Sequence, residues 1–140
     1  MVFAFVLVAI LSLSPVWFWI WVRQRDHAAL FAQSRLMRGE TVSLSIRGRI
    51  LYASGRYWGA LIVTSHRVVF YRKAITSEIT ETMPVEAVTS IERNSSWGFH
   101  VVEVHAAHDS LRFAASSRAD AERVAEVLEP RQRRRQSAIA

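Results

Sequence analysis

Residues 2–22, VFAFVLVAILSLSPVWFWIWV, are apolar except for Ser12, Ser14 and Pro15, and carry no charge. At about 1.5 Å per residue the stretch reaches roughly 31 Å, close to the thickness of a hydrocarbon core, so the pattern predicts a transmembrane helix over residues 1–22. Trp17, Trp19 and Trp21 stand just before Arg23 and Arg25. That order suits a membrane interface, with amphipathic rings at headgroup depth and cations outside. No basic stretch precedes the run and no A-x-A-like site follows it, against a cleaved signal peptide. Arg23, Arg25, Arg35 and Arg38 all follow the run, and the positive-inside rule then predicts a single-pass protein of the cell membrane. Its N-terminus would lie outside and its domain in the cytoplasm.

Beyond the run the period changes twice. Over residues 23–38 Asp26 is placed to cap a short connector helix reaching about Met37, with Gly39 placed to end it. From Val42 apolar and polar residues alternate, which predicts a half-buried strand that Gly48 bends before Ile50 to Tyr52. Further strands are predicted at Tyr57–Val63, Arg67–Arg72, Glu78–Met83, Val88–Arg93, Phe99–His105 and Leu111–Ala115, separated by turn-forming clusters. Pro84 suits the end or edge of the fourth. Ser117 and Asp120 then have the form of a capping box ahead of Ala121, Val124, Ala125, Val127 and Leu128 at helical spacing. Seven short strands followed by one amphipathic helix predict a mainly β domain over residues 39–130, a small barrel or sandwich plugged by the helix. Residues 131–140, past Pro130, read as a basic, disordered tail.

Composition changes this picture little, and charge changes it more. Apolar residues are 51% of the 140 and charged residues 21%, which argues for a folded domain. Cysteine is absent, excluding disulfides, thiolate metal sites and cysteine nucleophiles. The net charge of +6 is unevenly spread. Residues 23–77 hold ten Arg/Lys and two acids, residues 78–130 four Arg and ten acids, and the tail adds Arg131, Arg133, Arg134 and Arg135.

The stretch GALIVTSHRVVFYR, Gly59 to Arg72, resembles the G-x-L-x-[LV]-T-x-x-R-[LV]-x-[FV] signature of bacterial pleckstrin-homology-like and GRAM-like domains. Three further pieces agree in order: Gly39-Glu40, Met83-Pro84-Val85 with Val88 and Ile91, and Leu111-Arg112-Phe113 before an amphipathic helix. The resemblance covers about residues 39–129. It implies two near-orthogonal antiparallel sheets forming a partly open seven-stranded barrel capped by a C-terminal helix. It also implies that Thr64 and Arg67 are structural, Thr64 bonding turn amides.

In function the resemblance implies a binding module rather than an enzyme, engaging anionic lipid headgroups or docking a cytoplasmic protein at the membrane. Cations on the first two strands contact phosphate in lipid-binding relatives, which marks Arg47, Arg49 and Arg56, joined by Arg72 and Lys73. Arginine's planar fork suits phosphate. The other reading is an assembly subunit of a membrane complex without lipid specificity, using a strand edge or the acidic half. The tail lacks interleaved aromatics, which argues against nucleic acid. His66, His100, His105 and His108 form no zinc signature, and no nucleophile, phosphate-loop or paired-carboxylate motif occurs. No catalysis, metal or cofactor is expected, and the sequence leaves the oligomeric state open.

Overall fold

The computed structural model describes residues 14–21, 25–96 and 98–139. Residues 14–21 are helical (α1), followed by α2 (His27–Ser34). Seven strands come next: β1 (Val42–Tyr52), β2 (Gly55–Thr64), β3 (Arg67–Lys73), β4 (Glu78–Pro84), β5 (Val88–Ser96), β6 (Phe99–Ala106) and β7 (Ser110–Ala115). A 3-10 turn, Val85–Ala87, joins β4 to β5, and α3 (Arg118–Ile139) closes the chain.

The alternation in β1 works as predicted: Leu44, Ile46, Ile50 and their neighbours across the sheet face one core, while Ser45, Arg47 and Arg49 face the other way. Ala121, Val124 and Leu128 of α3 complete that core, which draws on all seven strands. Ser117 accepts a hydrogen bond from the Asp120 amide (3.1 Å) and so caps α3.

The architecture corrects two expectations. All seven strands join one open antiparallel sheet in the order β4-β3-β2-β1-β7-β6-β5, instead of two near-orthogonal sheets. The reason lies in β1, which pairs with β2 along its length and with β7 through Gly48–Ile50 against Phe113–Ala115. Gly48 permits this close seam. The second correction concerns the membrane. Among the described residues no helix is long and apolar enough to cross one. A span requires about 20 consecutive, predominantly apolar residues in one helix. The expected single-pass topology and cell-membrane localisation lose their support with it. The rest of the predicted span, residues 1–13 and 22, lies outside the described residues, as does Arg23.

Two further differences concern helices. Asp26 caps α2 by accepting from the Ala29 amide (3.1 Å), but the helix ends at Ser34 and is more than a connector. Its Phe31 is buried against Ala60, Ile62, Val69 and Tyr71 on the outer face of β2 and β3, forming a second small core. At the other end, the stretch predicted as tail is helical through Ile139, with Pro130 inside α3. Arg131 ties it down, donating from Nη1 to the Thr64 carbonyl (2.7 Å) and from Nη2 to Ser43 Oγ (3.0 Å). Losing these charge-assisted bonds in Arg131→Ala is expected to cost about 2 kcal/mol in urea unfolding.

Candidate anion-binding face

Strand parity sorts the predicted phosphate contacts. Arg47 and Arg49 alternate with the core residues Ile46 and Ile50, so they point away from the core. Across β1–β2 the register pairs Arg47 with Ala60, Arg49 with Trp58 and Leu51 with Arg56, which places Arg56 on the same outer face. Arg112 arrives there from β7, standing between the core residues Leu111 and Phe113.

Arg49, Arg56 and Arg112 meet in an open cleft of about 240 Å³ with Leu51, Tyr52 and Phe99. Among the described residues its lining holds three arginines and no acid. The Arg49 guanidinium carbon lies 4.2 Å from the centre of the Trp58 ring and 5.2 Å from that of Phe99; Arg56 lies 5.9 Å from Phe99. Stacking engages the face of a guanidinium and leaves its N–H donors in plane, where an oxyanion binds. Arg112 Nε lies 3.3 Å from Glu103 Oε2, a partner that orients it. The Tyr52 hydroxyl donates to Glu81 (2.9 Å). Burial, reinforced by that bond, pushes it above the ordinary phenol range and keeps it protonated.

A second cleft of about 440 Å³ adjoins on the far side of Trp58, lined by Trp19, Arg25, His27 and Arg47. Arg25, which the sequence assigns to a membrane interface, stacks on Trp21 at 4.7 Å and reaches the Lys73 carbonyl (3.4 Å). Trp17, Trp19 and Trp21 are exposed on α1. Five arginines, Arg25, Arg47, Arg49, Arg56 and Arg112, thus line two neighbouring clefts.

One predicted contact lies elsewhere. Arg72 shares the core-facing parity of Phe70 and packs over Tyr57 at 5.4 Å, on the opposite face from Arg49. Lys73 shares the outer parity of Tyr71, and its amide donates to His27 Nδ1 (3.2 Å) beside the second cleft, whose lining it does not itself join.

No protein-family model matches this chain, and no curated protein does. Several solved structures are similar in fold, among them the C-terminal domain of an unknown protein from Leishmania infantum, with a TM-score of 0.59 at 17% identity. The match covers 74% of this chain and 97% of that one. The likeness is one of fold.

Sequence reasoning missed Arg112, Phe99 and Trp58. Arg112 sits in a net-acidic half of the chain and joins the others only through β1–β7 pairing. Its position between Leu111 and Phe113 was the available signal, because alternation sends it away from the core.

The hairpin residues have a separate role. Arg67 Nε and Nη2 grip Glu40 at 2.9 and 3.0 Å, and the Thr64 hydroxyl donates to the same carboxylate. That hydroxyl accepts from the Arg67 and His66 amides (3.0 and 3.2 Å), as the resemblance implied. The Arg67 hydrogen bonds hold the Glu40 carboxyl down to about 2 against the opposing effect of burial.

Proposed function

We propose that this chain is a non-catalytic binding module whose outer β1–β2–β7 face captures a phosphate-bearing anionic group, with anionic lipid headgroups as the ligand class. The observation that carries this reading is the convergence of Arg49, Arg56 and Arg112 on one cleft whose described lining contains no acid. Two of the three, Arg49 and Arg56, lie over the Phe99 ring, which gathers both guanidinium groups at one side of the cleft. The pleckstrin-homology-like assignment belongs to the same proposal. It is supported by the seven antiparallel strands, the closing helix and the bonded Thr64–Arg67 hairpin.

The test is co-sedimentation of the full chain with vesicles of phosphatidylcholine alone or with added phosphatidylserine and phosphoinositide, over a salt series. Binding should require the anionic lipid and weaken as salt rises. Each cation near such a surface contributes about 1 kcal/mol, so Arg49→Gln with Arg56→Gln should weaken binding about thirtyfold. The exposed Arg56→Gln alone guards against a folding defect. A soluble inositol phosphate that competes fully identifies the phosphate as the recognised group, while no competition assigns the binding to the charged surface. Equal binding to neutral and anionic vesicles, or no effect of either arginine, contradicts the proposal and favours a protein partner.

A further inference from the structure

The pairing of β5 with β6 builds a cluster that no linear spacing reveals. Glu92 stands directly opposite Glu103, and His105 lies two residues along β6 on the same face. Two carboxylates directly opposite each other repel, so this pair destabilises the sheet unless a cation lies between them. His105 Nε2 points at both, 3.7 Å from Glu92 Oε1 and 3.8 Å from Glu103 Oε1. Those separations are too long for hydrogen bonds. The nitrogen is nonetheless shielded from solvent and has no hydrogen-bond partner. An imidazole nitrogen held dry, unbonded and aimed between two carboxylate oxygens suits a ligand that accepts all three lone pairs.

We propose that Glu92, Glu103 and His105 form a binding site for a zinc-class divalent metal ion. Tetrahedral zinc with bonds of about 2.1 Å places its ligand atoms about 3.4 Å apart, a few tenths of an ångström inside the separations of His105 from the two glutamates. All three ligand atoms already lie within 4.8 Å of one another. The mixed imidazole and carboxylate set favours zinc over magnesium or calcium, which prefer oxygen alone. Glu103 divides its oxygens: Oε2 faces Arg112, whose ion pair orients the carboxylate, and Oε1 is turned to His105. Glu92 is exposed, so the outer side of the site stays open for a water ligand. The site is separate from the arginine cleft, is linked to it through Arg112, and does not depend on the proposed ligand there.

The test is calorimetric titration of the full chain with zinc chloride in phosphate-free buffer, paired with thermal unfolding at matched zinc concentrations. Wild type should show one saturable site and a raised unfolding midpoint. His105→Gln should abolish both signals, and Glu92→Gln, at an exposed position that folding tolerates, should weaken binding about tenfold or more. Circular dichroism without zinc confirms that each variant is folded. No saturable zinc binding by wild type overturns the proposal. So does binding that survives unchanged in both variants, which would place the ion at another histidine.

Discussion

Arg67→Ala is expected to destabilise the fold by about 3–5 kcal/mol, a large share of the stability of a domain this size. The Glu40 side chain is fully buried and Arg67 nearly so, so removing the arginine strands a charge that no solvent can reach. The same side chain donates to the Arg35 carbonyl (2.7 Å) and lies over the Phe31 ring at 5.2 Å, so the segment after α2 loosens as well. Adding Glu40→Gln to Arg67→Ala should recover part of the loss, since a neutral amide costs less to bury than a carboxylate. Urea unfolding of both variants checks this, and a midpoint shift worth less than about 1 kcal/mol for Arg67→Ala would refute the buried-pair account.

The same pair sets an acid limit. Glu40 titrates at about 2 in the folded chain against an ordinary value of 4.5. A folded value below the unfolded one contributes stability that is complete above about pH 5 and lost as pH falls through 4.5 toward 2. The contribution is about 3 kcal/mol by linkage, so unfolding free energy should decline across that window, and less steeply in Glu40→Gln.

The second large effect is expected at Gly48. A Cβ there would lie 2.2 Å from the Ala114 carbonyl oxygen and 2.6 Å from Phe113 Cζ. The nearer obstacle is backbone, which no rotamer change relieves. Phe113 is itself held against Phe70, their ring centres 6.0 Å apart. Gly48→Ala should therefore cost about 3 kcal/mol and strip hydrogen-exchange protection from Phe113–Ala115, where β7 joins β1. Ser45→Ala, exposed on the same strand, should stay within about 0.5 kcal/mol of wild type. Equal effects from the two would mean that the seam is not what unites the sheet.

Much of the fold was legible because strands and helices differ in period. Val42 to Ile46 alternates cleanly, and the run from Ala121 to Leu128 repeats as a helix. In β2 and β3 the unbroken runs Leu61-Ile62-Val63 and Val68-Val69-Phe70-Tyr71 are buried on both faces in the structure. What covers the outer face, Phe31 of α2, required tertiary contact to see. The single sheet was illegible for a related reason, since alternation gives parity and not which strand lies beside β1. Hydropathy over Val2–Val22 met the length of a span, but among the described residues no helix is long and apolar enough to cross a membrane. Arg49 and Arg56 could be grouped from sequence because they flank one hairpin. Arg112 could not, and the Glu92–Glu103–His105 cluster needed the β5–β6 register.

The central claim is that the arginine cleft holds the ligand. Nuclear magnetic resonance titration of the full chain with a soluble, multiply phosphorylated inositol headgroup locates the ligand directly. The account predicts saturable shifts concentrated at Arg49, Arg56, Phe99 and Arg112. Shifts confined to β4, α3 or the face bearing Arg72, or no shifts at all, would contradict it.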